Sequence, residues 1–192
     1  MNKLIKITVL IIMLGTILCL SYLNINFCSN FPFGKSYNIK DLIENYKIKK
    51  LEINDLSIYI NKIVPENTKV YIEINEEEQL GILTVIKNGK YYNNLDLEIH
   101  PAKCDTLLGW TKGTLEKLKV KLKSANCVSI ENGEPTTIGY QRSGMGMYYY
   151  KVFNLPLTEK QKVIYNDSCK YIYFKDNIVL EFSGGAAGPQ CL

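Results

Sequence analysis

Seventeen consecutive residues without a charge, Ile7 to Leu23, follow Lys3 and Lys6 at the start of the chain. Nothing else in the sequence limits the fold as firmly. An unbroken apolar run that never alternates with polar positions has no soluble helix or strand face to belong to. Its length sits at the short end of what crosses a hydrocarbon layer of ~30 Å, so a membrane anchor and a cleaved signal peptide both fit. Signal cleavage needs small residues, and the best site on offer is Cys19-Leu20-Ser21, followed by bulky Tyr22, Leu23, Ile25 and Phe27. These flanks favour a retained anchor. Leu18 before Cys19 and Phe27 before Cys28 argue against lipid attachment at either cysteine, which requires a small preceding residue. Two lysines on the short N-terminal side turn the bulk of the chain outward. The sequence therefore predicts an anchor or signal over residues 1–24, membrane contact through residues 7–23, a linker over 25–37, and a periplasmic or otherwise extracytoplasmic domain.

The cysteines suit that location. Beyond the linker lie Cys104, Cys127, Cys169 and Cys191, an even number with no Cys-x-x-Cys pair. In an exported domain, four such residues point to two disulfides rather than a zinc cluster. Three pairings are open; the local ones, Cys104 with Cys127 and Cys169 with Cys191, are preferred, against a reading in which the thiols are free and buried. Of 23 basic residues only Arg142 is arginine, which argues against specific nucleic-acid recognition, since that draws on guanidinium forks. No nucleic-acid partner, cofactor or metal is expected.

After the linker, Asn38 is placed to cap a helix carrying Leu42, Ile43 and Tyr46. Lys50–Ile53 reads as a short strand, and Asp55 opens a second helix ending before Pro65. Strands follow at Lys69–Ile74, Leu80–Ile86 and Tyr91–Ile99, the last two joined by Asn88-Gly89, a pair suited to the positive φ angles of a tight hairpin. The stretch around Pro101 and Gly109 reads as a connection. A helix from Thr111 or Gly113 to about Lys123 carries Leu115, Leu118 and Leu122 on one side. A meander then runs through Val128–Ile130, Thr137–Gln141, Met147–Phe153, Tyr171–Phe174 and Ile178–Phe182, with tight turns at residues 143–146 and 175–177. Helices followed by grouped strands predict an α+β fold with helices packed on antiparallel sheet. Its two blocks, residues 38–103 and 104–192, form either one sheet or two small lobes.

In the second block, Gly113-Thr114-Leu115-Glu116-Lys117-Leu118, then Gly133-Glu134-Pro135, Tyr148-Tyr149-Tyr150 and Tyr173-Phe174-Lys175-Asp176-Asn177 form a pattern. Over residues 110–183 it resembles the small outer-membrane assembly lipoproteins of the SmpA/OmlA type, with their β-lactamase-inhibitor-like fold. The resemblance implies helices before a three- or four-stranded antiparallel sheet and a partner-binding scaffold without a catalytic site. The lipid-attachment motif of that family is missing here.

His100, the single histidine, ends a predicted strand before Pro101 and would have to serve as base in any hydrolase; its place suits a solvated or capping residue better. Arg142, beside the glycines of its turn, is the candidate for holding a carboxylate or phosphate, or for pairing across the strands. Tyr148 and Tyr150 are candidates for an aromatic patch facing a protein partner, unless the sheet covers them. The alternating lysines of residues 112–123 form a solvated face or one that meets an anionic surface. The function these features favour is that of a non-enzymatic, membrane-tethered envelope module that binds another protein. A small envelope enzyme using His100 and Arg142 is the alternative, as is an inhibitor or immunity-type protein. No residue is assigned a catalytic role.

Overall fold

A computed structural model describes residues 37–75, 80–93, 101–143, 146–167 and 169–184, without the side chains of 101–104. These belong to a compact unit spanning residues 35–192. The apolar run of residues 7–23 lies outside the described residues, among which no helix is long and apolar enough to cross a membrane.

Helix α1 (Ile39–Ile63) starts at Asn38, whose side-chain oxygen accepts from the Lys40 and Asp41 amides while the Asp41 carboxylate accepts from the Asn38 amide at 2.9 Å. That reciprocal pairing satisfies amides that have no partner within the helix. The strand expected at Lys50–Ile53 is not formed; the helix runs on through a kink at Lys49 (φ −110°, ψ 20°). Ile53, Leu56 and Ile60 recur at helical spacing and are fully buried, so continuing the helix puts all three in the core with Leu42 and Tyr46. The kink re-aims one stripe rather than ending it. Trp110, 2% exposed, donates its indole N–H to the Ile63 carbonyl at 3.0 Å, which satisfies an acceptor left over at the helix end.

Strands β1 (Thr68–Ile74), β2 (Leu80–Lys87) and β3 (Lys90–Tyr92) form an antiparallel ribbon, its second turn carried by Asn88 (φ 53°) and Gly89 (φ 73°) as their sequence requires. The expected continuation of β3 over residues 94–99 lies outside the described residues. What reads as a connection after Pro101 is an eight-residue helix, α2 (Pro101–Leu108), closed by Gly109 at φ 65°. Helix α3 (Lys112–Ser124) is capped by Thr111 and buries Leu115, Leu118 and Leu122. It leads into β4 (Ser129–Glu131), β5 (Thr136–Ser143) and β6 (Gly146–Val152); a short helix, α4 (Glu159–Ile164), precedes β7 (Tyr171–Lys175) and β8 (Ile178–Ser183).

Among the described residues, eight strands share one antiparallel sheet, ordered β3-β2-β1-β4-β5-β6-β8-β7. The two sequence blocks are thus not separate sheets: β1 of the first pairs with β4 of the second, Ile72 opposite Ile130. Asn132 prolongs that seam, its side chain accepting from the Val70 amide at 2.6 Å and donating to the Thr68 carbonyl at 3.0 Å. The last strands are not a simple meander, because β8 sits between β6 and β7.

Helices α1 and α3 pack on one face of this sheet, against Val70, Ile72, Ile130, Ile138, Tyr150 and Leu180. At the centre, Tyr150 is fully buried; its hydroxyl donates to the Leu42 carbonyl at 2.7 Å and accepts from Asn45 Nδ2 at 3.0 Å. Asn45 also donates to the Ala125 carbonyl and accepts from Asn126, so a single polar junction joins α1, the end of α3 and the middle of β6.

Burial drives the Tyr150 phenol well above its ordinary 10.0, and burial drives the Cys127 thiol well above its ordinary 9.0. Groups that hold protons more tightly when folded stabilise fully below their unfolded values and lose that contribution as pH rises through the folded ones. Urea midpoints are therefore expected to fall from pH 9 upward, with each of the two groups contributing a slope of about 1.4 kcal/mol per pH unit once its unfolded form ionises. Tyr150→Phe is expected to cost about 1–2 kcal/mol at neutral pH and to flatten the slope above pH 10.

Candidate functional site

The opposite face of the sheet carries the polar chemistry. Cross-strand partners share a face, and one row runs across six strands: Glu73, Ser129, Gly139, Tyr149, Glu181 and Tyr171. Two of its members are carboxylates with little exposure, Glu73 at 8% and Glu181 at 7%. A carboxylate this deep requires partners, and each has them.

Glu73 is held by Arg142 through two bonds, Nε to Oε1 at 2.7 Å and Nη2 to Oε2 at 2.8 Å, and Tyr71 donates to Oε2 at 2.5 Å. Arg142 reaches this face through a bulge. Gly139 pairs with Tyr149 but Arg142 pairs with Met147, so β5 holds one extra residue there. Without it, strand alternation would aim Arg142 toward the helices. Burial opposes the guanidinium's charge, yet its bonds to Glu73 outweigh this and hold its pKa above the ordinary value. Burial, and then the bond to Glu73, raises the Tyr71 phenol, which stays protonated as a donor.

Glu181 accepts from Lys151 at 2.9 Å and from Lys170 at 3.1 Å. Lys170 also lies over the Tyr171 ring, 4.9 Å from its centroid. Tyr149 stands between the two clusters; burial raises its phenol, and the nearby Arg142 offsets part of that rise. Gly139 admits no side chain, because a Cβ there would meet Ser129 Oγ at 2.1 Å and Met147 Sδ at 2.4 Å. Over β7 and β8 the face is covered by the connection before β7, where Phe153, Leu157 and Val179 pack with Tyr165, Tyr171 and Tyr173. Among the described residues, no helix packs on it across β1, β4 and β5.

Of the residues singled out from sequence, Arg142 lies in this site. Tyr148 and Tyr150 do not: alternation turns both toward the helices, where Tyr148 stacks on Phe182 at 4.6 Å. The tyrosines of the far face are Tyr71, Tyr149, Tyr171 and Tyr173, all partly exposed. His100 lies outside the described residues, so the nearest charged partner on view for Arg142 is Glu73. Glu73 and Glu181 were missed from sequence. The available signal was a glutamate within an otherwise apolar strand, alternating with the core positions Ile178, Leu180 and Phe182, as in Ile178-Val179-Leu180-Glu181-Phe182.

Cys127 is a free, buried thiol donating to the Ala125 carbonyl at 3.4 Å, so the preferred Cys104–Cys127 bridge is not formed. Helical packing at the end of α3 uses that side chain as a small apolar residue instead. Cys169 is disulfide-bonded, with a partner outside the described side chains, which include neither Cys104 nor Cys191. Among the described residues, no group of three or more His, Cys, Asp and Glu side chains is placed to hold a metal. Comparison with known protein families, with curated proteins and with solved structures finds no match for this chain.

Removing Arg142 strands a carboxylate with a single phenol donor. Because the guanidinium is half exposed, Arg142→Ala is expected to cost about 1–3 kcal/mol in urea unfolding, below the cost of a fully buried pair. Arg142→Lys should recover less than half of that, since an ammonium cannot make the two parallel bonds. A double replacement, Glu73→Leu with Arg142→Leu, is expected to be closer to the wild type than Arg142→Ala is.

Proposed function

We propose that this chain is a membrane-tethered module of a cell envelope that binds another protein through the far face of its sheet, without catalysing a reaction. The observation that carries the reading is the row from Glu73 to Glu181. It presents the partly exposed Tyr149 between charges that already have their partners inside the domain, with Tyr71 beside Glu73 on the same face. Tyrosine rings offer large contact area at small entropic cost, which suits protein recognition. The closed Arg142–Glu73 fork favours a positioned recognition element over an anion-binding catalytic group, because its charge is already matched. The same arrangement serves an inhibitor or immunity-type protein, which is one kind of binding module. The resemblance to the SmpA/OmlA type lipoproteins points the same way. The anchor over residues 7–23 and a Cys169–Cys191 bridge are parts of this proposal.

The test places a photo-reactive amino acid at Tyr149 or Thr137 on the far face and, as control, at Ile58 on the helices. Irradiation of intact cells is expected to give a discrete heavier adduct from the first two positions only. Adducts of equal yield from all three positions, or none from any, would remove the far face as the binding surface.

A further inference from the structure

The helical layer has an outer side, turned from the sheet, whose composition differs from that of the rest of the domain. Asp55 pairs with Lys121, and Lys117 and Lys121 lie over the Tyr59 ring at 5.3 and 5.0 Å, so α1 and α3 run side by side. On their solvent side stand Ile48, Leu51 and Ile58 of α1 and Val120 of α3, each at least 65% exposed. Around them the two helices carry ten lysines against five carboxylates, a net charge of +5. The remaining sequence from residue 37 onward has ten basic and fourteen acidic residues, a net charge of −4. The positive excess of the sequence is therefore concentrated in these two helices.

We infer that this outer helical side lies on an anionic membrane surface, its lysines at the headgroups and its aliphatic side chains entering the interface. Apolar side chains ringed by flexible ammonium groups are what such a surface selects. An acidic protein partner fits less well: shaped carboxylate recognition draws on arginine forks, and the single arginine is on the other side of the sheet. Tether length agrees, because residues 25–37 span at most ~45 Å even when fully extended. The inference rests on the envelope anchor proposed above and deepens it. A bilayer against the helices leaves the far face of the sheet pointing away from the membrane, toward a partner.

The test uses the full chain reconstituted into vesicles whose acyl chains are brominated near the headgroup, which quenches a tryptophan at the interface. Native Trp110 is 2% exposed and provides a low background. Ile58→Trp and, on the far face, Thr137→Trp each add one indole at a position not buried in the core, and circular dichroism checks that both variants fold. In phosphatidylglycerol vesicles the indole introduced at 58 is expected to lose emission relative to unbrominated lipid, and the one at 137 to keep it. The loss should shrink in phosphatidylcholine, or in 1 M salt, where charge screening acts within ~3 Å. If the chain floats with the vesicles but neither indole is quenched, the docking is wrong and the anchor stands. Equal quenching at both positions overturns it as well. If the chain does not float at all, anchor and docking fall together. A blue shift at 58 with soluble polyglutamate, without quenching by lipid, would replace the membrane by an acidic polypeptide.

Discussion

The hydroxyl of Tyr150 and the amide of Asn45 hold the layers of this domain in register. Apolar packing alone lets a helix slide or rotate on a sheet at modest cost, since one aliphatic contact substitutes for another. A buried polar junction does not permit that, because any shift leaves donors and acceptors unmatched where water cannot reach them. Here the junction links the first turns of α1, the C-terminal end of α3 and the interior strand β6. The kink at Lys49 follows from this constraint. The N-terminal part of α1 is tied to β6 through Asn45, while the C-terminal part is tied to the turn after β4, where Asn61 bonds Gly133 and Thr136. One helix joined at two places to a twisted sheet has to bend between them.

The far face obeys a different logic. It buries charge, and buried charge contributes little to stability while penalising every arrangement that separates the pair. The bulge in β5 shows how specific that arrangement is, since one inserted residue decides whether Arg142 meets Glu73 or the core. A positioned guanidinium of this kind, flanked by tyrosines, gives a surface a fixed pattern of donors at little further entropic cost to a partner.

Much of the architecture was legible in the sequence because it is written in short-range signals. The caps at Asn38 and Thr111, the Asn88-Gly89 turn and the leucine stripe of α3 all depend on neighbours within one or two turns. The errors fall where a longer-range effect prevails. Lys50–Ile53 looks like a strand in isolation and joins a helix because Ile53 shares a stripe with Leu56 and Ile60. Cys127 looks like half of a bridge and is a packing residue. Tyr148-Tyr149-Tyr150 announces an aromatic surface, but which rings face out depends on strand parity, and that is set by the pairing of β6 with β5 and β8. The carboxylate row is assembled from six strands, so no local window contains it.

The seam between β1 and β4 bears on how the chain reaches this state. Until residues 129–131 have emerged, β1 has a partner on one side only, and its other edge offers unpaired amides and carbonyls to any neighbouring strand. A polypeptide synthesised from its N-terminus completes the first ribbon well before the strand that closes it. Throughout that interval the border of β1 that later meets β4 stays open to pairing with a stranger.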